Sequence, residues 1–336
     1  MKKVSIIPVF VLSILSILCI SVDYNKIRIS SLGDIYYNSY SPEKGSKHIF
    51  KYISKSKSKY IAYTSEPDDC NIDNISMDPS GVRLGIIELC SPNKYHLVVY
   101  SLKSLSVLVK LDNGYKFAFS PKGNSIVYSE GIPGERGTPP PPGYKGGIWI
   151  YDFSCNKLIQ IANDSIGIGD INWSGHDGNI YIGGSGWARR YNVSKEKWEE
   201  VPYKGIYFSY DGKYYVSTPW ELGTHYLYRT SDNKKMVDWK KEIMGGTGKT
   251  CCMMFQFFSK KLNGVVFSIS NTENVVFDVG KGKVIGKFYG GVLGTNADGS
   301  LVAVNPVKPD NKKAYDQSQV EIINLSEVVS NYQKGK

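Results

Sequence analysis

One motif returns along almost the whole chain, and a chain built from repeats has few folds open to it. The motif is a short apolar strand, a turn of the form Ser/Asp-x-x-Gly, and a second apolar strand. Its clearest copy is KFAFSPKGNSIVY at 116–128. Others are ISMDPSGVRLGII (75–87), INWSGHDGNIYI (171–182), IYFSYDGKYYV (206–216) and LGTNADGSLVAV (293–304). Two copies are degenerate, YNSYSPEKGSKHIFKYI (37–53) and FQFFSKKLNGVVFSI (255–269). The turn glycines are Gly45, Gly81, Gly123, Gly178, Gly212, Gly264 and Gly299. Glycine suits the positive φ of such a hairpin.

A second hairpin follows each first one, as in HLVVYSLKSLSVLVKL (96–111) and IWIYDFSCNKLIQI (148–161). Each unit therefore carries four strands, A to D. The turn glycines recur about every 42 residues, the period of a four-stranded propeller blade. The expected fold is all-β: a single propeller of seven four-stranded blades, with six as the alternative, because the copy at Gly45 is weak. Aromatic residues at 13% and 34 glycines agree with strands and tight turns.

The phrases FAFSPKGNSIVY and IWIYDFSCNKLIQI resemble the TolB-type propeller repeat, whose core reads F-S-P-D-G-x-x-I-A-Y, a pattern also close to WD-like repeats. The resemblance covers nearly all of residues 34–325. It implies a propeller, and propellers of this type serve as binding scaffolds or as accessory domains of peptidases. Blades use up the chain, which leaves no room for a hydrolase domain.

Lys2 and Lys3 precede an apolar run over 4–18, and Cys19-Ile20-Ser21 puts small residues before a cut after Ser21. Residues 1–21 therefore read as a secretory signal peptide, or as an uncut anchor, since Val4 to Val22 could just span a bilayer. Residues 22–336 are the expected propeller. Either reading makes the chain exported, periplasmic or extracellular, which argues against a nucleic-acid partner. The net charge is +10, and +8 without residues 1–21. Its clusters suit solvated turns or attraction to an anionic envelope polymer.

Blade seven runs from strand C into an apolar helical face formed by Leu325, Val328, Val329 and Tyr332, with Asn324 and Glu327 as a capping pair. Its D strand is therefore missing. The alternating segment Asn25–Ser30 is expected to supply it and close the ring. Cys70 and Cys90 map to one face and are expected to pair. Cys155 lies on the other face and should be free. Cys251 and Cys252 could form a vicinal bridge or stay reduced.

Chemical motifs are scarce. MGGTGKT at 244–250 lacks the first glycine of a phosphate-binding loop. The four histidines, His48, His96, His176 and His225, show no metal-ligand spacing. No catalytic residue, metal or cofactor is expected.

Strands alternate in direction, so B–C loops and D–A linkers share one face of the disc. The long segments are 88–96, 130–147, 183–187, 217–225, 240–252 and 305–318, all of these two kinds. Insertions on one face of a repeat array mark a binding face. The candidate binding residues there are Arg136, Tyr144, Trp187, Arg189, Trp220 and His225, because aromatics and arginine carry most contact energy at interfaces. The other face offers Lys103, Lys195 and Asn233. The expected function is a non-catalytic, monomeric binding scaffold for a protein or an envelope polymer. The alternative is a secreted hydrolase or lyase at the channel mouth, using Glu221, His225, Arg189 and Arg190.

Overall fold

A computed structural model of the protein describes residues 27–29, 34–41, 45–53, 58–65, 70–90, 94–131, 146–164, 168–184, 187–217, 226–236, 254–270, 272–296, 298–308, 311–315 and 320–335. Among them, seven antiparallel sheets follow one another in chain order and stand in a ring. Blade one is Ile27–Ile29, Ile35–Ser41, Gly45–Ile53 and Ser58–Thr64. Blade two is Cys70–Met77, Arg83–Cys90, Lys94–Ser101 and Ser106–Asp112. Blade three is Gly114–Phe119, Ser125–Glu130, Ile148–Asp152 and Lys157–Ala162. Blade four is Asp170–Trp173, Ile180–Gly184, Trp187–Asn192 and Lys197–Glu200.

Blade five is Tyr207–Phe208, Tyr214–Val216 and Leu227–Arg229, with an isolated bridge from Tyr228 to Lys235 where a fourth strand would start. Blade six is Met254–Ser259, Gly264–Ser268, Glu273–Asp278 and Lys283–Tyr289. Blade seven is Gly291–Thr295, Leu301–Asn305 and Glu321–Asn324. A small hairpin, Val307–Lys308 with Asn311–Tyr315, lies within its B–C connection. The seven-blade expectation holds and the six-blade alternative does not.

The two-residue period of a strand builds the core, because neighbouring residues face opposite seams. Ile86 packs toward blade one and Ile87 toward blade three. Ile126 and Val127, and Val265 and Val266, divide in the same way. Seven clusters result, one per seam. Each fully buried Val or Ile contributes about 1.5–3 kcal/mol.

The expected closure is corrected. Ile27–Ile29 pairs antiparallel with Ile35–Tyr37, so it is the inner strand of blade one and not the outer strand of blade seven. The copy at 37–53 is therefore the B–C hairpin, and Gly45 opens strand C. The ring closes by packing: Ile29, Tyr37 and Tyr52 meet Ala303 and Val320 across the last seam. The helix α1 (Leu325–Lys334) stands beyond the third strand of blade seven. Leu325, Val328 and Val329 join the cluster of Ile285 and Phe288 from the outer strand of blade six. Asn324 caps the helix by accepting from Ser326 N–H.

Candidate functional site

The A–B turns are built alike, and their construction sets the geometry of one mouth of the ring. In blade three, Ser120 Oγ accepts from Ser125 N–H at 3.0 Å, and Gly123 N–H donates to Ser120 C=O at 2.8 Å. In blade two Asp78 replaces the serine, and its Oδ1 accepts from Val82 and Arg83 N–H at 2.8 and 2.9 Å. In blade seven Asn296 does the same for Ser300 and Leu301, both at 2.9 Å. Gly81, Gly123, Gly178, Gly212 and Gly299 all hold positive φ.

These turns ring a funnel on the axis. One compartment, about 620 Å³, is lined by Trp173, Tyr207, Phe208, Tyr210, Phe255 and Phe257, with Lys260 and Asp298 on the turns. A second compartment of about 370 Å³, on the side of blades seven, one and two, is lined by Arg28, Ser76 and Leu293. Met77, Pro79, Gln256, Phe257, Thr295 and Asn296 line both, so the two adjoin. Burial pulls the pKa of the partly buried Arg28 guanidinium down to about 10. Tyr207 donates to Asp170 across the seam of blades four and five, and burial pushes its phenol well up.

At the blade four turn, Ser174 Oγ and His176 Nδ1 share a hydrogen bond. The imidazole lies 5.2 Å from the Phe208 ring, centroid to centroid, and burial lowers its pKa against the pull of Asp177 and Asp211. Ser174, His176 and Asp177 thus lie together. The serine occupies the turn-capping position that Ser120 and Ser209 fill elsewhere, a structural task.

On the opposite face, Trp187 opens the third strand of blade four and is 37% exposed. Gly183 beside it is closely packed, since a Cβ on it would come within 2.6 Å of Ile206 Cγ2 and 2.9 Å of the Trp187 carbonyl oxygen. Arg189 points to the same side of the strand as Trp187. Its Nε lies 2.9 Å from Glu200 Oε1, and its guanidinium stands 5.7 Å from the Trp198 ring centroid. Arg190 turns the other way and meets Glu199, with Nε to Oε2 at 3.1 Å. The two arginines therefore do not converge on one point. Arg136, Tyr144, Trp220, Glu221 and His225 lie outside the described residues.

Cys70 and Cys90 stand directly opposite across strands A and B of blade two and are joined by a disulfide. The connections at 88–96 and 183–187 are shorter than their sequences suggest, because the strands run to Cys90 and Gly184 and resume at Lys94 and Trp187. Cys155 is free and exposed. Cys251 and Cys252 lie outside the described residues.

The funnel has no local signature in the sequence. Its walls come from inner strands spread over the whole chain, and only ring closure brings Arg28, Gln256 and Asn296 together. The available signal was the aromatic content of the A strands, as in INW, IYF and FQFF.

No protein-family model matches this chain, and no curated protein matches it. Solved structures do. A chain in a crystal structure of the mitotic checkpoint complex aligns at 10% identity and a TM-score of 0.57, covering 90% of each chain. TolB from Acinetobacter baumannii aligns at 15% identity and a TM-score of 0.48, over 80% of this chain and 64% of that one. Among the described residues no helix is long and apolar enough to cross a membrane. Seven radial sheets with a packed seam between each neighbouring pair, and the likeness to the checkpoint-complex chain, make this protein a β-propeller.

Proposed function

We propose that this chain is an exported, non-catalytic propeller that binds a protein partner through the face of its B–C loops. The observation that carries the reading is Trp187. A large aromatic side chain is 37% exposed at the start of a strand that pairs with Gly183 and Gly184, with Arg189 two residues on along the same side. Aromatic and arginine side chains dominate contact energy where partners meet. In the sequence repeat, Arg136, Tyr144, Trp220 and His225 fall in or beside B–C connections. Export rests on the Lys2-Lys3 and apolar 4–18 pattern. The net positive charge supports a second occupant, an anionic envelope polymer.

The test is capture of envelope components by the immobilised chain. Trp187→Ala and Trp220→Ala weaken capture with far-UV circular dichroism unchanged. Loss of capture on changing Lys103, Lys195 and Asn233, with none on the tryptophan changes, places binding on the other face instead.

A further inference from the structure

We infer that the outer rim of blades two and three docks on an anionic lipid surface, led by Leu105 at the tip of a C–D turn. These turns lie on the face opposite the B–C loops. The residue that leads out of the C–D turn holds a positive φ in one blade after another. It is Asn156 at 53° in blade three, Glu196 at 52° in blade four, Asn233 at 54° in blade five and Gly282 at 64° in blade six. Glycine and asparagine adopt this backbone most readily, and a glutamate there keeps its charge in water. Blade two places Leu105 at the same point, with φ 55° and 66% of its surface exposed. The isolated fold gains nothing from a leucine here, since its backbone is strained and its side chain stands in water. The strand that follows shows Val107 and Leu108 to solvent, and the outer strand of blade three shows Leu158 and Ile159.

Other outer strands are treated differently. Blade six carries Ile285 and Phe288 on its outer strand, and helix α1 packs over them. Blade four carries Glu199 and Glu200, paired with Arg190 and Arg189. The composition of the bare rim selects its occupant. From 101 to 111 and from 153 to 162 lysine is the sole charged residue type, as Lys103, Lys110 and Lys157. Lys110 reaches the buried Glu88, whereas Lys103 and Lys157 are exposed beside the aliphatic groups. The exposed apolar side chains of the two segments are all Leu, Ile or Val. Protein interfaces favour aromatic, methionine and arginine side chains, are depleted in lysine, and seldom use leucine or valine as hot spots. A bilayer asks for the reverse. Aliphatic side chains enter the acyl boundary, lysine stems lie along it, and the ammonium groups meet anionic headgroups. A second copy of the same rim would set lysine against lysine, which disfavours self-association.

The probe is a vesicle of equal parts phosphatidylglycerol and phosphatidylcholine, with pure phosphatidylcholine as comparison, read by hydrogen exchange of the full chain. Local exchange reports on the rim itself, independently of residues 1–21. Anionic vesicles slow exchange over 102–109 and 155–160, and neutral vesicles do so only at about tenfold more lipid or beyond. Leu105→Asn gives blade two the turn residue of blade three, so the thermal midpoint does not fall. It raises the lipid needed for half-maximal protection about tenfold. Lys103→Gln with Lys157→Gln raises it by a similar factor. Trp187→Ala leaves it unchanged. The inference is overturned if anionic vesicles leave both segments unprotected, if neutral vesicles protect them equally, or if Leu105→Asn needs no more lipid than the wild type. Slowed exchange there on raising the protein concentration without lipid assigns the rim to a second copy and overturns it too. Capture through Trp187 is decided by its own variants on the other face, so the two readings stand or fall separately.

Discussion

Tyr63 in the outer strand of blade one donates its hydroxyl to Glu88 Oε1 in blade two at 2.7 Å, across the seam between the two sheets. Glu88 is fully buried, and its other oxygen takes Lys110 Nζ at 3.0 Å. A buried carboxylate held by two donors from different sheets fixes how the blades register. Tyr63→Phe should cost about 1 to 2 kcal/mol by leaving one oxygen without its donor. Lys110→Met should cost about 2 kcal/mol or more, the value reduced because the ammonium is partly in water. Urea unfolding of both variants checks this, and the double variant should show non-additive losses.

The Cys70–Cys90 bridge closes a loop of 20 residues. Chain-entropy reasoning gives it about 3 kcal/mol. Cys70→Ser with Cys90→Ser should lower stability by that order, and a thiol reductant should do the same to the wild type. Cys155→Ser should change nothing. Peptide mapping without reductant should find Cys155 alkylated and Cys70 protected.

His176 gives a pH dependence with a definite sign. Burial lowers its folded pKa below the ordinary value of 6.5. The unfolded chain therefore binds the proton more readily. Stability is complete above pH 6.5 and falls as pH drops from there to the folded pKa. The groups facing the ring are Asp177, Asp211 and Arg190. Both carboxylates also titrate below their usual range, so their contribution is lost later, below about pH 4. Denaturation midpoints measured from pH 7.5 to 5 should fall in the wild type and flatten in His176→Asn.

Ring closure by packing predicts a sensitive seam. Ile29 is 2% exposed between blade one and blade seven, and Leu325 is fully buried under the outer strand of blade six. Ile29→Ala and Leu325→Ala should each cost about 2–5 kcal/mol. Asn324→Ala should cost about 1 kcal/mol through the lost helix cap. Thermal unfolding of the three variants separates the seam from the cap.

The repeat was legible because its turns need a backbone that few residues adopt. Gly81, Gly123, Gly178, Gly212 and Gly299 all sit at positive φ, and each marks one A–B turn. Blade six hid its turn because Asn263 takes the positive φ, at 45°, while Gly264 enters the strand. Blade one departs from the expected register by one strand. Its SPEKG imitates the SPKG of blade three, yet its inner strand is the three-residue IRI, too short to announce itself. That one-strand offset is the whole difference between the expected place of Ile27–Ile29 in blade seven and its actual place in blade one. The helix was legible from Leu325, Val328 and Val329, whose spacing states a face without stating what covers it. The funnel was not legible, because Arg28 and Asn296 lie at opposite ends of the sequence and meet only in a closed ring.

The central claim is that the B–C face is where partners bind. Hydrogen exchange of the full chain, alone and bound to the envelope material it retains, tests it most directly. The account predicts slowed exchange around 184–190 and in the B–C connections at 130–147 and 217–225, with the A–B turns unchanged. Protection confined to the A–B turns at 78–81, 120–123 and 209–212 would contradict it.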